Sequence, residues 1–217
     1  NIMIDTLMAM LPQVRNASIL STLDLQHEQH VVITLHRPSN VDDPLQLAIL
    51  LDEIGKMSEH FDIIWPIHPR TKARIESIGK FGNLEANPSI HITKPLGYID
   101  FMKCIYESRM VVTDSGGIQE ETTWLGVPCI TLRPNTERPI TISAGTNVLS
   151  TPAELSSEIQ KVITEPRRKK ESCRNRKYHS QHQKEVGFRA VKKNSFAISG
   201  PAIKNEESEC ELFLSKN

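Results

Sequence analysis

The residues best suited to chemistry lie in one short stretch, where an apolar run leads into small residues. Residues 110–112 are typical of a strand, and Ser115, Gly116 and Gly117 follow shortly before a helical pattern. Two glycines remove the Cβ atoms that would keep a phosphate from the backbone, and the dipole of the following helix adds positive potential there. We expect the Ser115 hydroxyl to cap this helix by accepting a hydrogen bond from a backbone N–H. The stretch therefore predicts an anion-binding site.

Basic side chains follow two earlier apolar runs that are typical of buried strands. His36 and Arg37 come directly after residues 31–35, and His68 comes directly after residues 62–67. Ligands of open α/β sheets collect beyond the carboxyl ends of the strands, where these side chains would lie. A single histidine there is as readily a hydrogen-bonded packing residue, but the adjacent arginine and the second histidine favour an anionic ligand.

The elements that must position these residues alternate along the chain. Between residues 31 and 132, apolar runs alternate with helical patterns, and small or basic residues stand at the ends of the runs. This alternation predicts an α/β fold with a doubly wound, Rossmann-like parallel sheet. The helical pattern of residues 1–14 has no capping residue before it, which fits either a helix that begins earlier in a longer protein or a frayed terminus.

Composition argues against several classes of partner. The 217 residues contain 26 Lys and Arg and 26 Asp and Glu, so net charge gives no reason to expect nucleic acid or a membrane surface. The four cysteines form no CxxC pair, and no signal peptide or long apolar run is present, which favours a reducing, cytoplasmic setting. No His, Asp or Glu cluster has metal-ligand spacing, so we predict neither a metal nor another cofactor.

Several motifs, in order and spacing, resemble the non-hydrolysing UDP-N-acetylglucosamine 2-epimerases. The motifs occupy residues 34–43, 68–70, 95–98, 114–121 and 135–139. Separate motifs over about 160 residues are far more specific than one glycine-rich turn. The resemblance implies a GT-B-type architecture of two Rossmann-like domains, of which this sequence matches the carboxyl-terminal, UDP-binding one. It also implies the conversion of UDP-GlcNAc into UDP-ManNAc through elimination and re-addition of UDP.

The same resemblance assigns roles to individual residues. It implies a catalytic His36 beside the diphosphate, and a UDP site formed by Leu96 and Phe101 at the uracil, Ser115, Gly116 and Gly117 at the diphosphate, Glu121 at the ribose, and Arg138. A carboxylate suits the ribose position because it can accept hydrogen bonds from two vicinal hydroxyls. In the family, the acids that move the C2 proton lie in the amino-terminal domain, which has no counterpart in this sequence, so we name no general base.

These inferences predict three segments. Residues 1–29 would form an interdomain helix and linker, residues 30–165 the Rossmann-like UDP-binding domain, and residues 166–217 a divergent tail. The tail contains a basic run at 167–177 and an acidic run at 205–211 with few apolar residues, which predicts disorder. It could be a natural extension with its own partner or the product of a shifted reading frame.

Alternatives remain open for the function. We expect an incomplete form of the epimerase that binds UDP, whose independent activity is uncertain, and either a homodimer or association with the missing domain. A UDP-sugar glycosyltransferase of the same architecture would bind UDP through a similar turn. A non-catalytic UDP-sugar-binding module is the third possibility.

Overall fold

The computed structural model describes residues 2–164, and the predicted disorder of residues 166–217 lies outside them. The strands are β1 (His30–Thr34), β2 (Asp62–Pro66), β3 (Ile90–Thr93), β4 (Met110–Thr113), β5 (Cys129–Leu132) and β6 (Asn147–Ser150). They form one parallel sheet in the order β3-β2-β1-β4-β5-β6. The order reverses between β1 and β4, so the predicted doubly wound sheet is confirmed, with its switch point at those two strands.

Helices cover both faces of the sheet. They are α1 (Ile2–Asn16), α2 (Ile19–Thr22), α3 (Pro38–Val41), α4 (Pro44–Met57), α5 (Pro69–Ser77), α6 (Phe81–Glu85), α7 (Tyr98–Glu107), α8 (Gly116–Leu125), α9 (Pro139–Ser143) and α10 (Leu155–Thr164). Within β1, Val31 and Ile33 pack with α4 and α10, whereas Val32 packs with α1, α7 and α8. Both side-chain directions of this strand are therefore buried, as its continuous apolar run requires.

Capping residues set the ends of the helices that flank the sheet. Asp43 accepts a hydrogen bond of 2.8 Å from the Leu45 N–H at the start of α4, where Pro44 occupies the first helical position. Gly126 ends α8 in the left-handed conformation with a φ of 73°. These signals are local, and the sequence predicts both helix ends.

Three short helices depart from the sequence-based expectations. Residues 1–29 are predicted to form a helix and a linker, but the linker contains α2, because Ile19 and Leu20 pack in the same core cluster as α1 and α7. The proline-initiated helices α3 and α9 lie in segments that looked irregular, since runs of four or five residues carry little periodicity. Within the described range, no helix has the length and apolar character needed to cross a membrane.

Candidate functional site

Asp114, directly after β4, organises the carboxyl edge of the sheet. Its side chain is fully buried, and its Oδ2 accepts hydrogen bonds from the His36 N–H at 3.0 Å and the Arg37 N–H at 2.8 Å. The Asn40 amide donates to the same oxygen at 3.1 Å. The Arg37 Nε–H also donates to the backbone carbonyl of Asp114 at 2.8 Å. A buried carboxylate needs such donors, and here they attach the end of β1 to the start of α8.

His36 is oriented by the same carboxylate. Its Nδ1 lies 3.0 Å from the Asp114 Oδ1, an ion-pair contact when the imidazole is protonated. The contact is not a hydrogen bond, since the Asp114 Oδ1 has no hydrogen-bond partner among the described residues. The His36 side chain is 44% exposed, so a ligand can reach the ring. His68, the second predicted histidine, caps α5 by accepting from the Arg70 N–H, and its ring centroid lies 5.8 Å from that of His36.

The glycine turn at the start of α8 differs from the expectation in two respects. Ser115 occupies the N-cap position, but its hydroxyl makes no capping hydrogen bond, so that prediction is wrong. The Ser115 N–H donates to the Thr113 Oγ1 at 3.0 Å, so a hydrogen bond between residues 113 and 115 closes the turn before α8. At Gly117, an added Cβ would lie 2.5 Å from the Met3 Cε, the far end of a flexible side chain of α1 that would have to move. At Gly116, an added Cβ would meet nothing closer than 3.7 Å.

Glu121 lies on α8, more than one turn beyond the glycines, and its side chain is buried. The Tyr98 hydroxyl, at the first residue of α7, donates to its Oε1 at 3.0 Å. Burial raises the pKa of Glu121, although the Tyr98 hydrogen bond opposes the shift. Leu96 and Phe101 flank Tyr98 along the chain, and both are partly buried against the core beneath α7. The Tyr98 contact therefore joins the predicted ribose and uracil residues.

Arg138 approaches α8 from the opposite side. It immediately precedes α9, its side chain is 46% exposed, and its Nε lies 3.4 Å from the Oε2 of the buried Glu120. Its N–H donates to the Thr136 hydroxyl at 2.9 Å. That hydroxyl donates to the Oε1 of the buried Gln119 at 2.6 Å. The loop before α9 is thus fixed to α8 by side-chain contacts.

The predicted site residues lie around the first turns of α8. Contacts that the sequence does not indicate connect them to this helix. Asp114 connects His36 to the glycine turn, Tyr98 connects the 96–101 segment to Glu121, and Glu120 holds Arg138. A carboxylate just before a glycine turn is the sequence signal for Asp114, but its donors lie in the segment that follows β1. A cavity of about 640 Å³ lies at the β3 edge and includes none of the predicted site residues. Between residues 2 and 164, no group of three or more His, Cys, Asp or Glu side chains could hold a metal ion.

Comparisons with known proteins identify relatives of this chain. The UDP-N-acetylglucosamine 2-epimerase of Methanocaldococcus jannaschii is 44% identical over 124 residues, which are 56% of this chain and 34% of that protein. The UDP-2,3-diacetamido-2,3-dideoxy-D-glucuronate 2-epimerase of Pseudomonas aeruginosa is 35% identical over 120 residues, 55% of this chain and 32% of that protein. The chain therefore spans about a third of the length of these curated relatives.

A solved structure gives the same relationship in three dimensions. The crystal structure of the M. jannaschii UDP-GlcNAc 2-epimerase, in complex with UDP-GlcNAc and UDP, superimposes with a TM-score of 0.70 and 30% sequence identity. The superposition covers 85% of this chain and 53% of that one. A family model described as UDP-N-acetylglucosamine 2-epimerase matches residues 1–186. Because this match extends over more than half of the sequence, the chain belongs to the UDP-N-acetylglucosamine 2-epimerase family.

Proposed function

We propose that this chain is the UDP-binding part of a UDP-N-acetylglucosamine 2-epimerase, which interconverts UDP-GlcNAc and UDP-ManNAc by eliminating and re-adding UDP. The observation that carries the proposal is the set of Asp114 contacts, which brings His36 and Arg37 beside the glycine turn of α8. The names of the relatives supply the sugar nucleotide. In the proposed organisation, residues 1–29 connect to the rest of the protein and residues 30–165 hold the nucleotide.

The diphosphate would bind at the first turn of α8. The first N–H groups of a helix have no partner within the helix, so those after Ser115 can donate to phosphate oxygens. His36 would lie beside the bond that breaks when UDP leaves. Negative charge develops on the departing diphosphate, so a donor held in place by Asp114 stabilises the transition state more than the ground state. We assign the catalytic role of His36 to this stabilisation.

The nucleoside would extend from this turn along α8. Glu121 would accept hydrogen bonds from the two ribose hydroxyls, in exchange for the one it receives from Tyr98. The uracil would lie against Phe101 and the backbone of Leu96, and Arg138 would contact UDP from the loop before α9. Proton transfer at C2 is assigned to no residue of this chain, because the resemblance places it in the family's other domain.

Calorimetry with UDP and the full chain tests the site. We expect Glu121→Gln to weaken UDP binding about tenfold, because the amide offers one acceptor oxygen where the carboxylate offers two. The effect should shrink with 2′-deoxyuridine diphosphate, which lacks one of the hydroxyls. Glu85→Gln, which alters an acid on α6, is the matched control. Absence of UDP binding by the unaltered chain, or equal binding by Glu121→Gln, contradicts the site.

The reaction itself needs a separate measurement. An epimerase incorporates solvent deuterium at C2 of the sugar, whereas a glycosyltransferase of the same architecture requires an acceptor and leaves C2 unlabelled. Because proton transfer at C2 is assigned to the family's other domain, the sugar nucleotide should be recovered after incubation with this chain and that domain together in deuterium oxide, which distinguishes the two reactions. Because one relative acts on a different UDP sugar, UDP-2,3-diacetamido-2,3-dideoxy-D-glucuronate should be compared with UDP-GlcNAc.

A further inference from the structure

A buried arginine beside the glycine turn is hydrogen-bonded to an exposed acid. Arg133 follows β5, and its side chain is 7% exposed. Its two terminal nitrogens donate to the two oxygens of Glu137, Nη1 to Oε2 at 2.8 Å and Nη2 to Oε1 at 2.6 Å. Glu137 lies in the loop before α9, and its side chain is 62% exposed. The Arg133 guanidinium is thus enclosed by the protein, while the Glu137 carboxylate can move into solvent.

The Glu137 carboxylate also lies where an anion at α8 would lie. A Cβ added to Gly116, the first residue of α8, would be 3.7 Å from the Glu137 Oε2 and 3.9 Å from the Arg133 Nη1. The hydrogen bonds from Arg133 lower the pKa of Glu137 to about 2, and the charge of Arg37 contributes to this shift. Glu137 is therefore ionised at every physiological pH, and one carboxylate faces two arginines next to the helix N-terminus.

We propose that Arg133 binds the diphosphate of the nucleotide and that Glu137 is a displaceable internal anion, which occupies the Arg133 guanidinium until the diphosphate replaces it. This inference rests on the proposed function, because it requires a diphosphate at the first turn of α8. A guanidinium that forms two parallel hydrogen bonds with a carboxylate presents the same pair of donors to a phosphate. The exchange leaves the buried cation paired in both states, whereas an unpaired buried guanidinium would be costly.

The exchange model and a purely structural role make opposite predictions for Glu137→Gln. If Glu137 competes with the diphosphate, its neutralisation should tighten UDP binding between about 1.4-fold and fivefold, the range expected for an exposed charge pair. If Glu137 instead holds Arg133 in a binding conformation, the same change should weaken binding. The affinity for uridine, which has no phosphate, should not change in either direction.

Calorimetric titration of the full chain with UDP and with uridine tests the model. Glu76→Gln is the matched control, because Glu76 is a similarly exposed acid paired with Lys72 on α5 and its loss changes the net charge equally. Tighter UDP binding by Glu137→Gln, with uridine and the control unchanged, supports the exchange. Equal or weaker UDP binding by Glu137→Gln overturns it while leaving the UDP site intact. If neither the unaltered chain nor Glu137→Gln binds UDP, the proposed function fails, and the exchange fails with it.

A second variant examines the cation. Arg133→Lys removes the paired donors but keeps the positive charge, so we expect UDP binding to weaken about tenfold. In this background, adding Glu137→Gln should give less improvement than it does alone, because the two residues act on the same phosphate oxygens. An equal improvement in both backgrounds would contradict a shared site. If Arg133→Lys does not fold, the Glu137→Gln titration still decides.

Discussion

The clearest perturbation of the site is Asp114→Asn, which removes one charge without changing the shape of a fully buried side chain. Three donors converge on the Asp114 Oδ2, from the His36 N–H, the Arg37 N–H and the Asn40 amide. Hydrogen bonds to charged groups stabilise by about 1.5–3 kcal/mol each, against about 0.5–1.5 kcal/mol for neutral pairs, so the change weakens each bond by about 1 kcal/mol. We therefore expect the free energy of unfolding to fall by about 2–3 kcal/mol.

The Asp114→Asn variant should also lose function beyond its loss of stability. The Asp114 Oδ1 lies 3.0 Å from the His36 Nδ1, and an amide has one acceptor oxygen where the carboxylate has two, so the substitution removes an acceptor either from the His36 ring or from the donors at Oδ2. UDP affinity should therefore fall even at temperatures where the variant is fully folded. Urea denaturation followed by circular dichroism measures the stability, and calorimetry measures the affinity.

Asp43→Asn is the matched control for stability, because Asp43 is an exposed N-cap residue and asparagine caps equally well. It should change the free energy of unfolding by less than about 0.5 kcal/mol. If Asp114→Asn is as stable as the control, the reasoning is refuted: the cost of burying the ionised carboxylate then offsets its three charge-assisted bonds.

Two further predictions concern the scaffold. Gly145→Ala should destabilise the fold by about 1–3 kcal/mol through overpacking, because its Cβ would lie 2.3 Å from the Thr141 carbonyl oxygen and 2.5 Å from the Thr123 Cγ2. Gly82→Ala in α6 meets no atom within 4 Å and should be neutral or stabilising, so equal melting temperatures for the two variants would contradict the packing. Burial lowers the pKa of His30 from 6.5, so the folded state favours the neutral ring. The free energy of unfolding should therefore be at its full value above pH 6.5. Below this pH it should decline, by at most about 1.4 kcal/mol per pH unit. Urea titrations at pH 7.5 and 5.5 measure this decline, and His30→Gln should flatten it.

The fold could be predicted from the sequence because its signals are local. Continuous apolar runs such as residues 31–35 indicate strands buried on both faces, and Asp43 and Gly126 indicate helix ends within a few residues of themselves. The α2 helix was missed because its stability depends on packing against distant elements, not on its own periodicity.

The candidate site was predictable only in part, because its side chains depend on contacts between distant positions. His36 and Asp114 are 78 positions apart, and sequence spacing alone does not indicate that one orients the other. The Ser115 hydroxyl makes no capping hydrogen bond, and the hydroxyl that takes part in this turn is that of Thr113, which accepts from the Ser115 N–H. The approach of the Met3 side chain of α1 to Gly117 is likewise visible only in the tertiary structure.

Four carboxylates lie where an anion is proposed to bind, and their partners explain how the site can accept an anion beside these negative charges. Asp114 accepts through its Oδ2 from donors at the end of β1, Glu120 lies beside Arg138, and burial raises the pKa of Glu121. Each of these three acids is enclosed and fixes a part of the site. Glu137 alone is exposed and hydrogen-bonded to a buried cation. In the proposed exchange, the diphosphate takes over the hydrogen bonds that Glu137 receives from Arg133, so the buried cation stays paired and the charge of Glu137 tunes nucleotide affinity.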